Sequence, residues 1–358
     1  MSDALRVLVV GLGNMGISHA KAYHELAGFE IAGLCSRSAS GLTDLPPAIA
    51  GYPRFDDYRQ ALQNLKPDAV SINTWPDTHA AFATLAIEAG AHVFLEKPLA
   101  ETVAEAERLV ALAREAGRKV VVGYILRHHP SWQRFVELAR GLGKPLVLRM
   151  NLNQQSSGET WVTHKHLMDS ISPIVDCGVH YVDIMCLMTR ARPTRVHAIG
   201  ARLSDELADG MYNYGQLQVI FEDGSVGWYE AGWGPMMSET AFFVKDAIGP
   251  KGCVSIFGVE DNEQGLRSDD MDAHTKTNAL RLHHAGLDAG GRFAKADEVI
   301  QMTDEPNHDA LCLREQEYFL KAIREDLDLT EHLDDAVNSL RIVLAADESV
   351  RSGRLVEL

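Results

Sequence analysis

The stretch of this chain with the clearest chemistry is Gly11-Leu12-Gly13-Asn14-Met15-Gly16. It follows a short apolar run, Leu5 to Val10, and precedes helix-compatible sequence. In that setting the first glycine permits a tight turn, the second lets the backbone approach a pyrophosphate, and the third lets helix and strand pack closely. The following helix N-terminus attracts negative charge. Gly11, Gly13, Asn14, Met15 and Gly16 are therefore expected to cradle a dinucleotide. About 20 residues on, an acidic residue would meet the ribose of NAD. The chain offers Cys35-Ser36-Arg37-Ser38 there, with no acid. Arg37 suits a 2′-phosphate and Ser36 or Ser38 can donate to it, which favours NADP. Arg37 stacked on the adenine leaves NAD possible. Two other spacings invite chemistry. Asp176 and Asp183 stand at i−4 and i+3 from His180, which is one face of a helix. His164 and His166 are two apart with no third ligand at a set spacing, so no metal is expected.

The elements that must position these residues can be read from periodicity. In the first third, short apolar runs at Phe29 to Cys35, Asp68 to Asn73, Ala91 to Leu95 and Val120 to Val122 alternate with helix-compatible sequence. Glu101 to Ala116 carries one apolar stripe, and Gly117 is a stop signal. Short strands alternating with helices predict a parallel, doubly wound sheet. Beyond about residue 125 the strand candidates lengthen and alternate: Pro145 to Asn151, Arg195 to Arg202, Gly215 to Phe221, Ser225 to Glu230 and Thr240 to Ala247. Two of them flank Glu222-Asp223-Gly224, a hairpin signal. This pattern predicts a largely antiparallel sheet with one buried face. Residues 261–300 are polar and weakly patterned and read as a long loop, while Asp309 to Arg324 and Asp334 to Ala346 read as closing helices.

The 358 residues call for two domains. We place them at 1–124, a dinucleotide-binding α/β Rossmann domain, and 125–358, an α+β domain for substrate and oligomerisation. The net charge of −16 would repel a phosphate backbone, so no nucleic-acid partner is expected. No apolar run approaches the roughly 20 residues of a bilayer span, so no membrane partner is expected either. The N-terminus enters a strand-like run directly, leaving no room for a signal peptide. Five scattered cysteines without a CxxC spacing fit reduced thiols in a cytoplasmic protein. An open sheet needs its face or edge covered, so a homodimer or homotetramer is expected.

Further motifs occur in a telling order. Glu96-Lys97-Pro98 follows Gly90-Ala91-His92-Val93-Phe94-Leu95. Thr74-Trp75-Pro76-Asp77-Thr78-His79 lies upstream, Gly123-Tyr124 with Arg127 and Pro130 comes next, and Asp176-Cys177-Gly178-Val179-His180 with Asp183 comes last. As an ordered set they resemble the glucose–fructose oxidoreductase / inositol dehydrogenase (Gfo/Idh/MocA) family over nearly the whole chain. The resemblance implies an open-sheet second domain and NAD(P)-dependent hydride transfer at a sugar or polyol carbon. It implies that Thr74, Trp75, His79, Glu96 and Lys97 lie beside the cofactor. It also implies that Lys97, Tyr124, Arg127, Trp161, His164, Asp176 and His180 line the substrate region. Trp75 departs from the small or aliphatic residue common in the family.

Oxidising a carbinol requires a base for the hydroxyl proton and a cation for the developing alkoxide. His180 suits the first task, Lys97 the second, and Asp176 can orient the imidazole or bind a substrate hydroxyl. On residue pattern alone His180 reads equally well as a buried structural histidine, and Arg127 and His128 as structural. Whether Lys97–Pro98 is cis is open to either answer. Two rival functions share the machinery: a glycosidase or lyase with tightly bound NAD(P) and transient redox, and a non-catalytic ligand sensor. The Lys97, Asp176, His180 set argues against the sensor, which needs no acid/base pair.

Overall fold

A computed structural model describes residues 4–238, 244–257, 275 and 277–358. The described residues divide into two compact units, 1–125 with 306–337 and 126–305 with 338–358. Residues 306–337, placed with the second domain by the simple division at 124, thus pack with the first unit.

In the first unit six parallel strands, β1 (Leu5–Val10), β2 (Phe29–Cys35), β3 (Arg54–Phe55), β4 (Ala69–Ile72), β5 (His92–Leu95) and β6 (Val120–Val122), lie in the order β3-β2-β1-β4-β5-β6. The order reverses direction at β1 and β4, and ligands of such sheets bind at that switch point. Val7, Leu8 and Val9 of β1 are fully buried, as a central strand covered on both faces requires. Helices α1 (Asn14–Glu25), α2 (Tyr58–Leu65), α3 (Pro76–Glu88) and α4 (Val103–Glu115) connect the strands. A reciprocal capping box starts α4: Thr102 Oγ1 accepts from the Glu105 N–H, and Glu105 Oε2 accepts from the Thr102 N–H. Gly117 then takes the left-handed conformation that ends the segment, φ +61°.

In the second unit come helices α5 (Pro130–Gly141), α6 (Gly158–Leu167), α7 (Pro173–Asp176) and α8 (Gly178–Thr189). Its strands are β7 (Val147–Gln155), β8 (Pro193–Ala201), β9 (Tyr214–Phe221), β10 (Val226–Gly234), β11 (Lys245–Gly249), β12 (Gly252–Phe257), β13 (Ala279–His284), β14 (Glu298–Gln301) and β15 (Val356–Glu357). They form one nine-stranded sheet in which all neighbours are antiparallel except β7 and β10. The hairpin signal at 222–224 joins β9 to β10, with Gly224 at φ +82°. Helix α8 lies so close on β10 that a Cβ on Gly178 would sit 2.9 Å from the Tyr229 ring. Helices α9 (His308–Arg324) and α10 (Thr330–Ser352) close the chain, α9 within the first unit.

Three expectations change. The tract 261–300 is not all loop: β13 lies within it and β14 begins in it, while 261–274 and 276 fall outside the described residues. Pairing with β12, residue for residue from Gly252 with His284 to Phe257 with Ala279, supplies what the local pattern lacked. The strand expected at Thr240 to Ala247 is described only from Lys245, and residues 240–243 lie outside the described set. The single helical face of Asp176, His180 and Asp183 is interrupted at Cys177, where α7 ends and α8 begins. Among the described residues no helix is long and apolar enough to cross a membrane.

Candidate active site

The glycine loop closes against the end of β4. A Cβ on Gly11, at φ +88°, would lie 2.3 Å from the Asn73 carbonyl oxygen, and one on Gly16 would lie 1.9 Å from that of Gly11. Neither position tolerates a side chain. Gly13 is different: a Cβ there meets nothing within 4 Å. It caps α1, whose first turn holds no acidic residue, so the helix N-terminus faces open space with its partial positive charge unneutralised. Asn14 is exposed and Met15 half-buried beside it.

At the end of β2, Arg37 is exposed and Ser36 half-buried. Sequence reading missed two neighbouring acids, Asp56 and Asp57; burial pushes the Cys35 thiol up to about 12, and the charges of Asp57 and Asp56 add to the shift. Both already serve the chain. Asp56 accepts from the Ser40 N–H and hydroxyl, and Asp57 accepts from the Gln60 N–H to cap α2. Hydrogen bonding to Ser40 holds the Asp56 carboxyl below its usual range.

Two loops are braced by one buried histidine. His79 Nδ1 lies 2.7 Å from the Pro98 carbonyl and Nε2 lies 3.0 Å from that of Thr74. Burial pushes its imidazole below the ordinary range. His79 therefore sits between the Thr74-Trp75 and Lys97-Pro98 turns and, as a neutral imidazole, donates its one N–H to one of the two carbonyls; Trp75 is 45% exposed at the turn's edge. Lys97–Pro98 is cis. Glu96 is buried, its Oε1 2.7 Å from His19 Nε2 and its Oε2 accepting from the Lys97 N–H at 3.2 Å. The Lys97 side chain is half-buried. Tyr124 is buried, its ring 6.3 Å from that of His332.

In the second unit Arg127 grips Asp183 with both arms, Nε to Oδ2 and Nη2 to Oδ1, each at 2.7 Å. Asp183 is therefore engaged by a cation outside its helix. Burial pushes the neighbouring His128 imidazole down to about 3, with Arg127 adding to the shift. Asp176 and His180 are half-buried on either side of Cys177. The Cys177 thiol lies 3.6 Å from Asp176 Oδ2 and 3.6 Å from Gln154 Oε1, and that oxygen accepts the Trp233 indole N–H at 2.7 Å.

Trp161 and His164 lie on helix α6, because Trp161, His164 and Met168 bury one helical face. The His164 ring stacks on Trp233 with centroids 4.4 Å apart, and its Nδ1 lies 3.0 Å from Ser156 Oγ. Trp161 donates to Glu206, and His166 is exposed. Sequence reading also missed Lys245. It is buried, donates to the Asn151 carbonyl at 2.6 Å and lies 5.1 Å from the Tyr181 ring centroid. Burial pushes its ammonium well below the usual range. A lone lysine at the start of a strand gives no sequence signal that it is buried.

A glycine turn of this geometry at the switch point of a doubly wound sheet defines a dinucleotide-binding protein. The sequence matches the oxidoreductase family with an NAD-binding Rossmann fold over residues 5–124, and the GFO/IDH/MocA C-terminal domain over 138–244. It is 30% identical over 207 residues to UDP-N-acetylglucosamine 3-dehydrogenase of Acidithiobacillus ferrooxidans, covering 57% of this chain and 61% of that one. The chain thus spans about three fifths of that relative's length. It is 26% identical to scyllo-inositol 2-dehydrogenase (NAD(+)) of Bacillus subtilis over 100% of this chain and 97% of that one. The structure of scyllo-inositol dehydrogenase from Lactobacillus casei, with NAD(H) and scyllo-inositol bound, superposes with a TM-score of 0.76 at 19% identity over 99% of each chain, a likeness of fold. The chain belongs to the Gfo/Idh/MocA family of oxidoreductases.

Proposed function

We propose that this chain is an NAD(P)-dependent dehydrogenase or reductase that moves a hydride between nicotinamide and a carbinol or carbonyl carbon of a sugar or polyol. The observation that carries the reading is the closed glycine turn that leaves Gly13 and the α1 N-terminus facing open space. The relatives named for UDP-N-acetylglucosamine and scyllo-inositol support the substrate class.

A nicotinamide dinucleotide held by the Gly11–Gly16 turn would supply the hydride acceptor; in the oxidative direction His180 takes the hydroxyl proton and Lys97 stabilises the developing alkoxide. Asp176 orients His180 or a substrate hydroxyl. Glu96 supports Lys97 from behind, being hydrogen-bonded to its backbone N–H and to His19. Arg127, Trp161 and His164 hold partners of their own, so we assign them to positioning. The test is absorbance at the nicotinamide band with a panel of sugars and polyols. Net reduction or oxidation of the cofactor supports the proposal. Glycoside cleavage without net turnover replaces it with transient redox, and cofactor binding with neither replaces it with ligand sensing.

For the cofactor we propose NADP ahead of NAD. Arg37 is exposed, and both acids near the end of β2 are engaged by backbone. Arg37→Ala should raise the Kd for NADP about tenfold, as loss of a hydrogen bond to a charged group does, and leave NAD nearly unchanged. Equal weakening of both would remove the preference. On the outer face of the nine-stranded sheet Val147 and Val226 pair side by side, 40% and 38% exposed, which supports a homodimer or homotetramer. A monomer in sedimentation would overturn it. Five free thiols support a reducing, cytoplasmic setting.

A further inference from the structure

Behind the glycine loop lies a group of buried side chains that hydride transfer does not use. His19 of α1 meets Cys312 and Glu315 of α9, and one coordinating atom from each lies within 4.8 Å of the others. All three are buried, Glu315 at 1% exposure. Both Glu315 carboxyl oxygens are buried with no hydrogen-bond partner. Leaving a buried carboxyl unsatisfied is costly, and such groups call for a proton donor, a water or a cation.

The surrounding hydrogen bonds fix which nitrogen of His19 can take a metal. The Tyr23 hydroxyl donates to Gln316 Oε1, so the amide nitrogen of Gln316 is its donor end. That nitrogen lies 2.9 Å from His19 Nδ1, which therefore carries the lone pair. Nε2 carries the hydrogen and donates to Glu96 Oε1 at 2.7 Å. A carboxylate holding one imidazole nitrogen while the other keeps its lone pair is the arrangement that supports histidine as a metal ligand. On α9, His308, Cys312 and Glu315 follow at i, i+4 and i+7 on one face, and the Cys312 sulfur lies 3.8 Å from His308 Nδ1.

We propose that His19, Cys312 and Glu315 form a binding site for one divalent cation of the zinc class, with His308 beside the fourth position. Thiolate, imidazole and carboxylate together select zinc over magnesium or calcium. On binding, the Cys312 thiol and the Glu315 carboxyl lose their protons to solvent as the S–Zn and O–Zn bonds form, and His19 Nδ1 exchanges the Gln316 amide for the metal. Thiolate and carboxylate among the ligands balance the two charges of the ion. The cation would join α9 to α1, the helix that carries the dinucleotide loop. Sequence spacing gave no metal because the ligands come from opposite ends of the chain.

The test uses the full chain, stripped with chelator and titrated with Co(II). One equivalent should produce a sulfur-to-cobalt charge-transfer band that Zn(II) abolishes. Cys312→Ser should remove the band, and Glu315→Gln should weaken cobalt affinity by about tenfold or more. Cys253→Ser, on the second unit's sheet, should leave the band intact. No charge-transfer band in the unaltered chain, or a band undiminished by Cys312→Ser, overturns the proposal. The readout needs no enzymatic activity, so its failure is separate from failure of the hydride-transfer reading.

Discussion

In the first unit six consecutive residues build the dinucleotide turn, and their constraints are backbone constraints: two glycines have no room for a Cβ and one has nothing before it. In the second unit the surroundings of His180 come from far apart. Arg127 reaches Asp183, Gln154 reaches Cys177, and Trp233 holds Gln154 from one side and His164 from the other. A site made of backbone geometry is specified locally and fails when sterics are violated. A site made of side-chain partners is specified by long-range packing and fails when one partner is left buried and alone.

The largest expected effects test which region does chemistry. Lys97→Ala and His180→Ala should each lower kcat about a thousandfold, within the range for losing a general acid/base or charge-stabilising group, with dinucleotide affinity nearly intact. Near-normal rates in both variants would remove the catalytic assignment. Next, Gly16→Ala should abolish dinucleotide binding through the clash with Gly11, whereas Gly13→Ala should fold normally and lose affinity only where a ligand approaches. Equal behaviour of the two, read by calorimetry and circular dichroism, would break the backbone argument.

Asp183→Asn should cost about 3 kcal/mol of unfolding free energy, because it leaves the Arg127 guanidinium without its buried counter-charge. Denaturant unfolding measures this, and a loss under about 1 kcal/mol, as for a surface pair, would contradict the buried-pair reading. The last effect concerns pH. His128 titrates at about 3 in the folded chain, below its ordinary value near 6.5. Its contribution to stability is therefore complete above about pH 6.5 and is lost as pH falls toward 3, by up to about 1.4 kcal/mol per pH unit. His128→Phe should flatten that part of the pH–stability curve, and an unchanged slope would show that other groups set it.

Five of the six strands of the first sheet were legible, the exception being the two-residue β3 (Arg54–Phe55). Leu5–Val10, Phe29–Cys35 and Val120–Val122 stand where the apolar runs put them, because strands covered on both faces are mostly apolar. In the second sheet β13 and the edge strand β14 were not legible, since both alternate weakly and owe their pairing to β12 and to each other. Individual residues show the same division. Gly11 and Gly16 could be read from sequence because a turn this tight admits only glycine. The engagement of Asp183 by Arg127, of Asp56 by Ser40 and of His79 by the Pro98 carbonyl could not. The sequence by itself determined the dinucleotide turn, the alternation that makes the Rossmann sheet and the order of the motifs, all products of local sterics and hydrophobic period. Only the tertiary structure decided which charged and polar side chains already have partners and which buried groups, Glu315 above all, do not. Those pairings join residues distant along the chain, and burial then removes the water that would otherwise satisfy them.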